Sequence, residues 1–139
     1  MTVLSLVLFL IFATLGVIHF NWTLGGEWGI NYALPTDRDG KRIITPGKFD
    51  STMVGLGLTC CGIFYLIKPG LVEIAPPAWI MVYASWGIPS IFIFRAIGEF
   101  KYVGFFKKVK HTPFGKKDTR IYSPLCLGIA IIGFLIALF

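Results

Sequence analysis

Apolar residues fall into four long runs, separated by polar segments rich in glycine and proline. From Val3 to Phe20, 18 residues pass without Asp, Glu, Lys or Arg. At 1.5 Å per helical residue that stretch covers about 27 Å, close to the hydrocarbon thickness of a bilayer. The first span is placed at about 3–24, and it is read as a retained helix because Met1-Thr2-Val3 lacks the positive charge of a signal peptide. The second, about 51–67, is capped by Asp50 or Ser51. Its Gly55, Gly57, Cys61 and Gly62 give a small-residue face for close helix approach, and Lys68-Pro69-Gly70 ends it. The third, about 77–94, starts at Pro77, whose missing N–H is harmless in a first turn, and carries Pro89 inside as an expected kink. The fourth, about 124–139, opens on Ser123-Pro124 as cap and first-turn proline, and its 16 residues are short for a span, about 24 Å. The pattern predicts an all-α integral membrane protein, one domain over residues 1–139, folded as an antiparallel four-helix bundle.

Two connectors are long. Gly25 to Asp50 holds turn punctuation, including an Asp39-Gly40 pair suited to a type I′ hairpin, with Trp28, Tyr32 and Phe49 as interfacial rings. Between Arg95 and Pro124 lie eight of the 13 Lys and Arg residues. There Phe100, Tyr102, Phe105 and Phe106 interleave with Lys101, Lys107, Lys108 and Lys110, predicting a basic, amphipathic helix at the interface that reaches about His111 and is ended by Thr112-Pro113. Those four lysines are the expected lipid contacts. The two long connectors hold 12 basic residues and the opposite side only Lys68, so the positive-inside rule places both connectors in the cytoplasm and both termini outside.

At 55% hydrophobic and 14% charged, with a mean hydropathy of +0.76, the chain is too apolar for an ordinary soluble domain. A net charge of +6 on such a chain points to anionic membrane lipid as partner and away from nucleic acid, which needs a basic face on a soluble fold. Cys60, Cys61 and Cys126 lie inside apolar runs without redox or zinc spacing, so no metal and no cofactor are expected.

Candidate chemistry gathers at the cytoplasmic side. Arg95 and Glu99, at the inner end of the third span, would share a helix face with Tyr102, and His19 ends the first span at similar depth. Asp118, Arg120 and Tyr122 precede the fourth. His19, Trp22, Arg95, Glu99, Tyr102, Asp118 and Arg120 are the candidate ligand-binding residues, with His19 and Glu99 the candidates for acid–base catalysis. The alternative is structural, with Arg95 snorkelling, Glu99 pairing with it or with Lys101, and His19 bonded to a loop carbonyl.

Three stretches, His19-Phe20-Asn21-Trp22-Thr23-Leu24-Gly25-Gly26, Arg95 to Lys107 and Asp118 to Leu125, give a resemblance over nearly the whole chain to domain-of-unknown-function family 3995, small bacterial four-span membrane proteins. The resemblance implies the bacterial inner membrane and assigns no activity. Three functions compete: binding of a lipid headgroup, small amphiphile or partner at the cytoplasmic site; an enzyme acting on a lipid-like substrate through His19 and Glu99; and a small transporter acting as a homodimer. The spans lack the midplane ionisable residue that coupled transport usually needs.

Overall fold

In the computed structural model, which describes residues 1–139, the apolar runs become four helices long and apolar enough to cross a membrane. These are α1 (Thr2–Thr23), α3 (Lys48–Ile67), α4 (Ala78–Ile97) and a continuous helix from Pro113 to Leu138 made of α5 (Pro113–Lys117), a π-helical turn (Asp118–Tyr122) and α6 (Ser123–Leu138). One further turn, α2 (Ile30–Ala33), lies in the first connector, and no strand forms. The outward faces remain apolar: Leu10, Val17, Ile91 and Leu138 are all exposed, an arrangement stable only in a hydrocarbon solvent.

The bundle is built from two pairs, α1 against α3 and α4 against α6. Lipid gives helices no hydrophobic reason to associate, so close packing has to supply the attraction. An added Cβ at Gly55 would lie 2.9 Å from the Phe20 ring, and one at Gly62 would lie 3.4 Å from Phe9 and Phe12, so two of the three glycines of the expected small face meet α1. Gly57 faces open space. In the second pair Gly133 of α6 sits against Pro89 of α4 and the Tyr65 hydroxyl of α3. Phe12 joins the pairs, stacked on Tyr65 at 5.8 Å and edge-on to Phe92 at 5.3 Å, within a core of Leu8, Phe64, Ile88, Ile129 and Ile136.

Several boundaries differ from the sequence reading, each for a local reason. Helix α3 starts at Lys48 with Gly47 as cap, and Asp50 lies in the first turn, where its carboxylate accepts the Gly47 N–H at 2.9 Å. Helix α4 continues to Ile97 and stops at Gly98, whose φ of 83° suits glycine alone. Consequently no helix carries Arg95, Glu99 and Tyr102 on one face. The amphipathic helix to His111 is absent; residues 98–112 form an irregular, folded loop. Thr112-Pro113 begins a helix, the Thr112 hydroxyl accepting the Gly115 N–H at 2.9 Å with Pro113 in the first turn. The last span is therefore the end of a 26-residue helix. Pro124 lies within it just after the π turn, whose wider register accommodates a ring without an N–H. In the first connector Asp39-Gly40 does turn the chain, but only Gly40 has positive φ, at 80°. Asp37 Oδ1 accepts the N–H groups of Asp39 and Lys41, so the turn is built by a side chain and is not type I′.

Candidate functional site

At the end of the bundle bearing the two long loops, three segments converge on one carboxylate. Asp118, supplied by the π turn, is 0% exposed. Its Oδ1 accepts from Arg95 Nη2 of the last turn of α4 at 2.9 Å. Its Oδ2 accepts the Gly104 N–H at 2.8 Å and faces Lys107 Nζ at 3.1 Å. Lys107, only 1% exposed, also donates to the Gly104 carbonyl at 2.9 Å and the Thr119 hydroxyl at 2.6 Å, so its three N–H donors have three partners. Burying a charge is tolerable only when it is paired and hydrogen-bonded, and this cluster meets that condition for Asp118 and Lys107. Arg95 keeps Nη1 without a partner, and two cations around one carboxylate leave a surplus positive charge.

The loop reaches the cluster because two glycines allow its strands of backbone to touch. A Cβ on Gly98 would collide with the Val103 carbonyl, and one on Gly104 with the Ile97 carbonyl. The Phe105 N–H then bonds the Ala96 carbonyl at 2.8 Å, closing the loop on the end of α4. Glu99, exposed, accepts the N–H groups of Tyr102 and Val103 and does not pair with Arg95. Phe100 is the sole non-glycine residue with positive φ, at 68°, a costly conformation for an aromatic residue. That turn sends its ring outward, 58% exposed, beside the 63% exposed Phe106 at a centroid separation of 6.3 Å. Around the pair Lys101, Lys108 and Lys110 are exposed, whereas Lys107 departs from the expected lipid contact by turning inward.

Between this loop and the tip of the first connector lies a groove of about 670 Å³. Asp37, Asp39 and Glu99 face Arg38, Lys101 and Lys108 across it, with Tyr102 and Phe100 also in its wall. Lys101 Nζ stands 5.0 Å over the Tyr102 ring. His19 does not line this groove. Its Nδ1 is 2.8 Å from the Leu15 carbonyl, which can only accept, so Nδ1 carries the proton. The imidazole packs at 4.8 Å on Trp22, whose Nε1 donates to the Trp28 carbonyl at 2.8 Å. Arg120 is exposed and stands outside the Asp118 cluster.

The structure thus joins Arg95 to Asp118, puts Glu99 and Tyr102 in the groove, and leaves His19 and Trp22 at the end of α1. Sequence reasoning missed Lys107 as a buried partner and Gly98 and Gly104 as the contact that seats it. The two glycines were the available signal, since each disfavours the helix expected across them.

The family model described as "Protein of unknown function (DUF3995)" matches residues 12–133, which include all three converging segments. No curated protein and no solved structure matches the chain. With the match running from the middle of α1 nearly to the end of α6, the chain belongs to the DUF3995 family, a membrane-like four-helix protein whose family carries no assigned activity.

Proposed function

We propose that this is a multi-pass protein of the bacterial inner membrane that binds anionic lipid headgroups at its cytoplasmic face through the loop Gly98–Thr112. The observation carrying this reading is the exposed Phe100–Phe106 pair, on a loop that also exposes Lys101, Lys108 and Lys110 and is held by buried charges. Rings of this kind enter the headgroup layer while ammonium groups meet phosphate, each basic residue contributing about 1 kcal/mol near an anionic surface. The groove beside the pair, with acids and bases in equal number, suits a zwitterionic or anionic head next to the same loop. Twelve basic residues in the long loops against one elsewhere support the cytoplasmic assignment of that end. Acid–base catalysis by His19 and Glu99 loses its geometric support, because the Glu99 carboxylate is engaged by its own loop and His19 lies outside the groove.

The test has two arms. In a background without native cysteines, Lys116→Cys should resist a membrane-impermeant maleimide in intact cells while Glu73→Cys reacts; the reverse would overturn the orientation. In nanodiscs of mixed phosphatidylglycerol and phosphatidylcholine, Phe100→Ser and Phe106→Ser combined with Lys101, Lys108 and Lys110→Gln should cut enrichment of the anionic lipid several-fold. Unchanged enrichment would overturn headgroup binding.

A further inference from the structure

The opposite end of the bundle, where both termini lie, holds polar groups that the packing leaves unmet. Lys68 follows the last turn of α3, and its side chain turns back across the bundle so that Nζ donates to Ser85 Oγ of α4 at 2.9 Å. That hydroxyl is itself spent, donating to the Met81 carbonyl at 2.7 Å. No carboxylate lies within 4.0 Å of the Lys68 ammonium, since the two ion pairs of the protein both belong to Asp118. Ser5 of α1 is 0% exposed, and its Oγ has no hydrogen-bond partner. One turn before Lys68 the Tyr65 hydroxyl is also buried and unpartnered. A buried hydroxyl without a partner is destabilising, and a half-buried ammonium without a counter-ion is more so. Of these groups Ser5 and Lys68 line a cavity of about 300 Å³, together with Met1, Pro69 and the end of the chain from Ile136 to Phe139.

A cation and an orphaned hydroxyl lining one cavity form the donor set of an anion, with Ile136 and Leu138 in the wall left for a chain. The geometry points to a second binding site, at the terminal end of the bundle, for the carboxylate or phosphate head of an amphiphile. Lys68 supplies the counter-charge, and Ser5 Oγ donates to a second oxygen of the head. The aliphatic part lies along Ile136 and Leu138 and leaves between the helices into the bilayer. This site is independent of the loop Gly98–Thr112 and stands whether or not that loop binds lipid.

Native mass spectrometry of the full chain, titrated separately with oleate, dioleoylphosphatidylglycerol and inorganic phosphate, tests it. Beyond any lipid held at the loop Gly98–Thr112, wild type should retain one molecule of oleate or of the phospholipid, and whichever is held identifies the head as carboxylate or phosphate. Lys68→Ala should weaken retention at least tenfold. Ser5→Ala, an apolar change of similar size that removes an orphaned hydroxyl without disturbing the fold, should weaken it about threefold to tenfold. Lys41→Gln combined with Lys48→Gln, exposed at the far end and outside the loop Gly98–Thr112, should leave it unchanged. Equal retention by wild type, Lys68→Ala and Ser5→Ala would overturn the site, as would retention of inorganic phosphate without either amphiphile. Equal weakening by the Lys41 and Lys48 substitutions would also overturn it, by reducing the effect to general charge.

Discussion

The two long loops leave the same end of the bundle with the same ingredients, turn glycines, aromatic rings and charged residues, yet they are held in opposite ways. The first, between α1 and α3, is tied by exposed hydrogen bonds, Asp37 to the N–H groups of Asp39 and Lys41, Arg42 to Asn31 and Trp22 of α1 to Trp28, and rests α2 on α5, with Lys117 over the Tyr32 ring. The second, between α4 and α5, is tied by Asp118 and Lys107, both essentially without solvent exposure, to two helices. Lys107 and Lys108 are adjacent in sequence, and one is a buried strut while the other is exposed. How firmly such a loop is anchored therefore depends on whether a carboxylate on a neighbouring helix comes within reach. The rigid loop is the one that displays the aromatic pair, so bracing and the proposed headgroup contact are consecutive steps of one arrangement.

The contrast breaks most readily at its two aspartates. Asp118→Ala leaves Arg95 and Lys107 facing each other with no counter-charge, and such a loss typically costs about 3–5 kcal/mol. Asp37→Ala returns two exposed N–H groups to water, at about 0.5–1.5 kcal/mol. Thermal unfolding in detergent should separate them clearly, and adding Lys107→Met to Asp118→Ala should recover part of the loss. Equal losses at the two aspartates would mean that the loops are anchored alike.

A smaller difference is expected at two glycines of similar φ. Gly40→Ala meets no neighbour, so it should cost only the left-handed conformation, about 1–2 kcal/mol. Gly98→Ala carries a larger conformational cost, since φ 83° with ψ −170° is open essentially to glycine alone, and it also drives a Cβ into the Val103 carbonyl, which is backbone and has to move. Its loss should exceed that of Gly40→Ala by about 1 kcal/mol or more, with overpacking adding typically 1–3 kcal/mol. It should also free Lys107, read as faster acetylation of that lysine in the folded protein. If the two substitutions cost the same and Lys107 stays protected, the glycine contact is not what seats the loop.

The spans were legible in the sequence because bilayer thickness fixes the length of an apolar run, and that requirement acts residue by residue along the chain. The small face of α3 was legible for the same kind of reason, Gly55 and Gly62 being one helical face apart. Arg95 and Asp118 were both singled out, but as members of a wider cluster, because depth in a membrane is a single coordinate and says nothing about position around the bundle. His19, on α1, shares that depth and belongs to the other helix pair. The stretch from Gly98 to Thr112 misled because interleaved Phe and Lys fit an interfacial helix, and a positive φ at Phe100 follows from tertiary closure that no local preference announces.

The finest distinction is between the pair that the structure joins and the pair that depth alone had suggested. Arg95 and Asp118 share a 2.9 Å ion pair, and residues in such direct contact are coupled by about 0.5–3 kcal/mol in a double-mutant cycle. The cycle of Arg95→Met with Asp118→Asn should show coupling in that range. His19 bonds the Leu15 carbonyl and Glu99 bonds its own loop, with no partner in common. His19→Ala and Glu99→Gln should accordingly add to within about 0.5 kcal/mol, since sites without shared contacts behave independently. Each Glu99 corner also reports on the groove, because its carboxylate shapes the turn that carries Tyr102 and Phe100. Loss of anionic-lipid enrichment in Glu99→Gln but not in His19→Ala would assign the headgroup contact to the groove side alone. Coupling well above 0.5 kcal/mol between His19 and Glu99 would instead put the two candidate acid–base residues back into one site, and would reopen catalysis on a lipid-like substrate.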